Sequence, residues 1–195
     1  MTTTTDATAS RPSPARARLL EAATALFYNE GIHSVGVDRI IEEAGVTRAT
    51  MYKQFAGKEG LVLAYLHGED DGLRALFAQA ATASDDPGIL LDLVVAGIER
   101  DIRERHTRGC PFINAAAEYP AAGPVRELIA GHREWFRDTL EQLAAGAGLV
   151  EPREVAASLV LLRDAALVGG YLDGQERVAP AFARTAREVI AAARR

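Results

Sequence analysis

The sequence has little of what several common classes of protein require. It has one cysteine among 195 residues, which excludes an intramolecular disulfide. Its four histidines lack the spacing of a His-x-x-x-His or Cys-x-x-Cys ligand pair, so we predict no metal and no other cofactor. Aromatic residues make up only 6% of the chain, and alternating runs of β-branched residues are few. These absences favour an all-α protein without a cofactor.

Long hydrophobic runs are also lacking. No apolar run reaches the roughly 18 residues that a membrane-spanning helix needs, and the polar N-terminus has no hydrophobic run of the signal-peptide type. We therefore expect a cytoplasmic protein with no membrane partner. The net charge of −5 argues against nucleic acid as a partner. However, acidic and basic residues are equal in number up to Leu66, and the whole acidic excess lies beyond it.

In the first third of the chain, apolar residues recur at helical spacing. A first helix of about four turns is predicted to start near Ala15 and to end at Gly31, and a short second helix lies between Gly36 and Gly45. Residues 2–14 hold no large apolar side chain, so residues 1–14 are expected to form a flexible tail. The N-terminal domain is expected to span residues 15–66.

A short polar segment, GVTRATMYKQFAGK, follows the second helix. Thr47 is a suitable N-cap, which places the start of a third helix at Arg48. Met51 and Phe55 lie four residues apart and are expected to face the first two helices, whereas the other side of the helix faces solvent. Two helices joined by a tight turn at Gly45 predict a helix-turn-helix within a three-helix domain.

Hydrogen-bond donors crowd onto this third helix and the residues that follow it. No acid occurs between Thr47 and Lys58, and six side chains can donate to phosphates or purine edges: Arg48, Thr50, Tyr52, Lys53, Gln54 and Lys58. An ordinary helical hairpin also has a glycine turn and a threonine cap, so the donors favour double-stranded DNA as the partner more than the turn does.

The stretch from Arg16 to Leu66 resembles the DNA-binding domain of the TetR family of transcriptional repressors. The match runs without a gap through LLEAATALFYNEGIHSVGVDRIIEEAGVTRATMYKQFAGKEGLVLAYL. Its most specific parts are ALFYNEG, DRIIEEAGVT and TMYKQF with the Lys58–Glu59 pair.

The resemblance implies roles for individual residues of this domain. Bases of the major groove would be approached by Arg48, Ala49 and Tyr52. Phosphates or flanking bases would be met by Thr50, Lys53 and Gln54, and a phosphate by Lys58. Gly36 departs from the family's usual Ser or Thr, but its backbone amide at a helix N-terminus can still meet a phosphate. Ala49 and Ala56 also depart from the usual pattern, so the operator sequence cannot be transferred.

Beyond Leu66 the chain is helical throughout, which gives about nine helices in all. The fourth helix is predicted from Lys58 to about Ala83, and five more begin at Pro87, Phe112, Val125, Pro152 and near Ala179. The resemblance implies that residues 67–195 form a regulatory domain for ligand binding and dimerisation.

A small-molecule effector would enter between the fourth and eighth helices. The candidates are large or polar residues on faces that otherwise have the pattern of a core: Tyr65, Phe77, Arg103, His106, Cys110, Phe112, Asn114, Trp135, Phe136 and Arg163. Ordinary packing is the alternative for each. Cys110, with His106 and Arg108 near it in sequence, could sense oxidants or electrophiles, and an inert buried thiol is the alternative.

The resemblance also implies a homodimer built from the last two helices. The candidate interface residues are Leu159, Leu162, Ala166, Tyr171, Phe182, Ala186, Val189 and Ile190, and an intramolecular core is the alternative. Dimerisation is favoured on separate grounds as well. One short helix contacts too few base pairs to find a genomic site, whereas a dimer on a palindrome doubles the contacts.

Together these features predict a homodimeric repressor that a small molecule releases from a palindromic operator, with the fourth helix transmitting the change. An activator, or a repressor without a ligand, remains open. The alternatives from other classes are a helical-bundle enzyme, using Cys110 with His106 or His67 with Asp70 and Asp71, and a nonenzymatic carrier. We expect no enzyme, because no nucleophile motif or phosphate loop is present. A carrier would not need the donor-rich helix.

Overall fold

The computed structural model describes residues 13–194, and within this range it contains nine α-helices and no β-strand. The all-α fold predicted from the sequence is confirmed. The helices are α1 (Pro14–Glu30), α2 (Val37–Ala44), α3 (Arg48–Gln54), α4 (Lys58–Ala83), α5 (Pro87–Glu104), α6 (Pro111–Glu118), α7 (Pro124–Gly146), α8 (Pro152–Asp173) and α9 (Gln175–Ala192).

Four helices start earlier than the sequence predicts, and two of them, α6 and α7, do so by a single residue, at Pro111 and Pro124. The side chain of Ser13 caps α1 by accepting a hydrogen bond from the backbone N–H of Arg16 at 3.2 Å, so the helix begins at Pro14, within the predicted tail. The rest of that tail lies outside the described residues. α9 begins at Gln175, directly after Gly174 ends α8, and not beside Pro180. Pro180 lies inside α9 near its N-terminus, where its missing N–H costs a single helical hydrogen bond.

The chain divides into two compact units, and the first ends at Val62. In this unit α1, α2 and α3 pack on one another. Each contributes fully buried apolar side chains, such as Leu19 in α1, Ile40 in α2 and Met51 in α3. The second unit begins at Leu63, four residues before the predicted boundary of 67, and α4 starts in the first unit and continues into the second.

In the second unit, α5, α7, α8 and α9 pack on one another, and α6 lies against α7. The core contains the fully buried side chains of Leu91, Ile102, Leu140, Leu167 and Ala186. α4 contacts α7 through Phe77, whose ring meets Trp135 edge to face with centroids 5.4 Å apart.

Five of the eight predicted interface residues belong to this core: Leu159, Ala166, Phe182, Ala186 and Ile190. α8 and α9 pack on each other and bury these side chains within one chain, which agrees with the alternative of an intramolecular core. Leu162 and Val189 are half-buried, and Tyr171 is exposed.

α8 also corrects the prediction about hydrophobic runs. It is long and apolar enough to cross a membrane, with 22 residues and a mean hydropathy of 1.5 in its most apolar window. Of that window, 44% is buried inside the molecule. A single helix of this kind is weak evidence for a membrane span.

Candidate nucleic-acid interface and ligand cavity

The turn between α2 and α3 is set by Gly45. Its backbone is left-handed, with φ 59° and ψ 45°, a conformation that glycine adopts without the steric cost of a Cβ. The N–H of Gly45 donates to the carbonyl of Glu42, and the N–H of Val46 donates to that of Ile41, both at 3.2 Å. Thr47 then caps α3 by accepting a hydrogen bond from the Thr50 N–H at 3.1 Å. The turn therefore ends one helix and starts the next within three residues.

Two arginines of α1 hold the C-terminal ends of both helices. Arg18 Nε donates to the carbonyl oxygen of Ala44 at 3.0 Å, and Arg16 Nη1 donates to that of Gln54 at 2.9 Å. The Arg16 guanidinium also lies 4.2 Å from the centroid of the Phe55 ring. The last carbonyls of a helix have no helical partner and carry partial negative charge, so cations suit these positions. Neither role could be predicted from the sequence, because the partners are 26 and 38 residues away.

The outer side of α3 faces solvent, as predicted. Met51 and Phe55 are buried against α1 and α2, whereas Tyr52 is 54% exposed. We call the outward residues the recognition face: the exposed Arg48, Ala49, Tyr52 and Lys53 and the half-buried Thr50 and Gln54. Gly36 is exposed at the N-terminus of α2, where no side chain caps the helix, and Lys58 is half-buried at the start of α4.

Arg48 forms an ion pair with Asp38 of α2, which the sequence analysis did not foresee. Both side chains are mostly exposed, and exposed pairs of this kind contribute about 0–1 kcal/mol, so a base or phosphate can replace Asp38. The hydroxyl oxygens of Thr47 and Thr50 are hydrogen-bonded at 2.8 Å. The free protein therefore holds two recognition-face donors in place before any partner is bound.

A short exposed helix, fixed by a tight turn against a second helix and carrying hydrogen-bond donors outward, defines a helix-turn-helix DNA-binding protein. The family model described as "Bacterial regulatory proteins, tetR family" matches residues 19–65. Over 162 residues the chain is 30% identical to the HTH-type transcriptional regulator LmrA of Bacillus subtilis, covering 80% of this chain and 84% of LmrA. The chain belongs to the TetR family and is a DNA-binding transcriptional regulator.

Two further proteins agree with this assignment along most of the chain. The HTH-type transcriptional repressor KstR2 of Mycobacterium tuberculosis is 32% identical over 141 residues, which is 70% of either chain. The crystal structure of SCO4454, a TetR-family transcriptional regulator from Streptomyces coelicolor, superposes with a TM-score of 0.89 at 44% identity. That match covers 92% of this chain and 96% of SCO4454, so it includes both units.

A half-open cavity of about 560 Å³ lies within the second unit, in the usual size range of small-molecule sites. Its apolar wall comes mainly from α4 and α5, with the start of α6 at one side: Leu73, Leu76, Phe77, Ala80, Ala83, Leu93, Val94, Gly97, Ile98, Pro111 and Phe112. Its polar lining is Glu69, Gln79, Arg100, Asp101, Glu104, Arg105, His106 and Arg163. Four of the ten predicted ligand residues are therefore brought together: Phe77, His106, Phe112 and Arg163.

The other six candidates lie outside this lining. Tyr65 and Cys110 are buried, and Asn114 Nδ2 donates to the carbonyl of Arg108 at 3.2 Å. Arg103 pairs with Glu99 at 3.2 Å and with Glu176 at 2.6 Å, and these two hydrogen bonds raise its pKa. The rings of Trp135 and Phe136 both pack edge to face against the ring of Phe77, with ring centroids 5.4 and 6.0 Å from that of Phe77.

A cluster of charged residues forms part of the cavity lining. Glu69 accepts hydrogen bonds from Arg105 Nη2 at 2.8 Å, and His106 contacts Glu69 through Nε2 at 3.2 Å and Asp101 through Nδ1 at 2.8 Å. Burial alone would lower the pKa of His106, but the hydrogen bonds to Asp101 and Glu69 raise it above its ordinary value. The cluster therefore pairs its two acids with an arginine and a histidine that readily protonates.

A second histidine, His132 of α7, was missed by the sequence analysis. It is buried, stacks on Phe112 with ring centroids 3.6 Å apart, and contacts Asp70 through Nδ1 at 2.7 Å. Its Nε2 is buried without a hydrogen-bond partner among the described residues. Burial lowers the pKa of His132, and the nearby charge of Arg163 lowers it further, so the ring is held neutral. No local pattern around this histidine indicated such a contact with α4.

No group of three or more His, Cys, Asp or Glu side chains suited to a metal ion occurs within the described residues.

Proposed function

We propose that the protein is a cytoplasmic homodimeric repressor that binds a palindromic operator and leaves it when a small molecule enters the cavity. The single observation that carries the DNA-binding part is the exposed recognition face on a helix fixed at both ends. The hydrogen-bond donors of this surface lie on one short helix, and a helix of this kind fits into the major groove of DNA.

Within this proposal, Arg48, Ala49 and Tyr52 approach bases, and Thr50, Lys53 and Gln54 meet phosphates or flanking bases. Arg48 exchanges the carboxylate of Asp38 for a purine edge, most favourably the two acceptors of guanine. The backbone amide at Gly36 and the side chain of Lys58 meet phosphates.

A homodimer is supported by an apolar stripe on α8 that the chain leaves uncovered. Leu161, Ala165, Val168 and Leu172 follow one another at helical spacing, and Leu161 and Leu172 are 69% and 71% exposed. We propose this stripe as the dimer interface, in place of the candidate interface residues that are buried within one chain. A second copy would cover it and would present two recognition faces to one palindrome.

Release by a ligand is supported by the cavity. A ligand weakens DNA binding only if it binds better to a state that fits the operator poorly.

Selection of genomic fragments with the purified protein, followed by titration at several salt concentrations, tests the DNA contacts. Arg48→Ala is expected to relax sequence preference, costing about 1–3 kcal/mol on the selected site and little on other duplexes. Lys58→Ala is expected to weaken binding to all duplexes and to reduce the salt slope by about one unit.

Arg184→Ala removes an exposed arginine of α9 and serves as the control, with no expected change in either quantity. Failure to enrich any fragment at low salt would contradict the proposal and would favour a carrier. So would equal behaviour of all three variants and the unchanged protein.

A further inference from the structure

Arg163 is an unusual wall residue of the cavity, because it is a buried cation with unused donors. Its side chain is 5% exposed and lines the cavity. Its hydrogen bonds within the described residues all come from Nη1, which lies 4.0 Å from Cys110 Sγ and 3.4 Å from Asp164 Oδ1. The guanidinium also lies 4.9 Å from the centroid of the Phe136 ring. A guanidinium has five N–H donors, so Nε and Nη2 are left without a protein acceptor among the described residues.

The carboxylates near Arg163 do not fully neutralise it. Asp164 is shared, because its Oδ2 accepts from Arg133 Nη2 at 2.7 Å. Asp70 accepts from Arg74 Nε at 2.8 Å and contacts His132, whose ring is neutral. Three guanidinium groups therefore accompany two carboxylates here, and of the three only that of Arg163 is buried, since Arg74 and Arg133 are partly exposed. Buried charges are normally paired, so this arrangement favours an anion from outside the protein.

Two of the three acids that line the cavity are already paired, and the third, Glu104, is exposed. Glu69 and Asp101 are already held by Arg105 and His106. The apolar part of the lining comes mainly from α4, with Leu73, Leu76 and Phe77 among its residues, and from α5.

We propose that the cavity takes a mostly apolar carboxylate, whose two oxygens accept hydrogen bonds from Nε and Nη2 of Arg163 while its apolar body lies along α4 and α5. Such paired N–H···O contacts are the preferred geometry between a guanidinium and a carboxylate. The carboxylate of the ligand supplies the negative charge that Asp164 and Asp70 do not provide to Arg163. The regulatory meaning of this site rests on the proposed function, but the binding chemistry does not.

The test compares probes that share an apolar body and differ only in the polar group. Decanoate, decan-1-ol and decylammonium form one set, and 1-naphthylacetate, 2-(1-naphthyl)ethanol and 2-(1-naphthyl)ethylammonium form another. Calorimetric titration of the full chain at pH 7.5 is expected to give at least one carboxylate a dissociation constant about tenfold or more below that of its matched alcohol, since charge-assisted bonds add that much. The ammonium probes are expected to bind more weakly than the alcohols.

Arg163→Gln is expected to remove the preference for the carboxylate over the alcohol, and Arg163→Lys to retain part of it, because the charge stays. Arg103→Gln removes an arginine of the same unit that lies outside the cavity lining and should keep the full preference. The comparison of probes on the unchanged protein needs no variant, so it decides the matter even if Arg163→Gln fails to fold.

Equal affinity for carboxylate and alcohol in both sets, preference for an ammonium probe, or no binding of any probe would overturn the proposal. An unchanged preference in a folded Arg163→Gln would do so too. Gel-shift titration of the selected DNA, run in parallel, separates this failure from that of the proposed function. If the protein binds DNA but shows no preference for carboxylates, only the proposed ligand site is contradicted. If it prefers carboxylates but does not bind DNA, only the proposed function as a repressor is contradicted.

Discussion

At the scale of single residues, the pKa values of two histidines of the second unit, the buried His132 and the largely buried His106, move in opposite directions. His106 lies between Asp101 and Glu69, and their hydrogen bonds outweigh its burial, so its pKa is raised. His132 has one carboxylate partner, and burial together with the charge of Arg163 outweighs that partner, so its pKa is lowered. The sequence contains both histidines, but only their distant partners determine the direction in which each pKa moves.

We expect these two histidines to shape the pH dependence of stability. The folded state favours the proton on His106, so its contribution is complete below an unfolded pKa of about 6.5 and is lost as pH rises through the higher folded value. The folded state favours neutral His132, so its contribution is complete above about 6.5 and is lost as pH falls through the lower folded value.

Urea unfolding between about pH 5 and pH 8.5 checks this expectation. His106→Gln should remove part of the loss of unfolding free energy on the alkaline side, and His132→Gln part of the loss on the acid side. His33→Gln, an exposed histidine of the first unit, serves as the matched control. The expectation is wrong if the unfolding free energies of His106→Gln and His132→Gln both depend on pH as that of the unchanged protein does.

At the scale of helices, the first unit depends on contacts that join the ends of its elements. α3 is only seven residues long, which is too short to be stable alone in water. Its N-terminus is fixed locally by Thr47, and its C-terminus by Arg16 from α1. The recognition face is therefore held in a defined orientation by a short cap at one end and a long-range cap at the other.

Arg16→Met is expected to lower the free energy of unfolding of the first unit by about 1–2 kcal/mol, because it removes the hydrogen bond to Gln54 and the contact with the Phe55 ring. Denaturation followed by circular dichroism checks this. Arg39→Met is the control, since Arg39 has only an exposed pair with Glu43 at 3.9 Å and should change stability by less than about 0.5 kcal/mol. Equal effects of the two changes would mean that Arg16 contributes no more than a surface charge.

At the scale of the whole molecule, α8 is the helix that bears on the proposed assembly into a dimer. One side of this helix is buried by its own chain, through residues such as Leu159 and Leu167, and another side carries Leu161 and Leu172 in solvent. A helix with apolar side chains on two sides accounts for its high hydropathy without a membrane. The uncovered side fits a second copy of the chain.

Leu161→Glu combined with Leu172→Glu is expected to convert the proposed dimer to a monomer, because two charges on each copy would have to be buried in the interface. Analytical ultracentrifugation measures the state directly, and affinity for a palindrome should fall with it. Val150→Glu introduces a charge at another exposed apolar residue, 53% exposed and outside the helices, and should leave the dimer intact. A double variant that still sediments as a dimer would show that the interface lies elsewhere.

Much of the fold and of the DNA-binding surface could be predicted, because the signals act over a few residues. Gly45 ends α2, Thr47 starts α3, and prolines mark the starts of α5 and α8. The spacing of Met51 and Phe55 then determines which side of α3 is buried. For α9 the predicted start near Ala179 was four residues late, because the helix begins directly after Gly174.

The interface and the cavity could be predicted only in part, because their signals are shared with ordinary cores. Apolar periodicity marked α8 and α9 correctly as packing helices, but it cannot tell a side that meets the same chain from one that meets another. Arg163 and His106 were recognised as polar residues on core-like faces. Their partners Asp164, Asp101 and Glu69 were not, because pairing across helices leaves no local pattern.

By itself, the sequence determined the helical content, the turn at Gly45 and the donor-rich side of α3, since each depends on backbone preferences and on side-chain spacing within a few residues. The tertiary structure alone decided that Arg16 and Arg18 cap distant helices and that the pKa values of His106 and His132 move in opposite directions. It also decided that Nε and Nη2 of Arg163 have no hydrogen-bond acceptor among the described residues. These features depend on which residues meet across the fold. Burial and charge pairing, not sequence neighbours, set the energy of each.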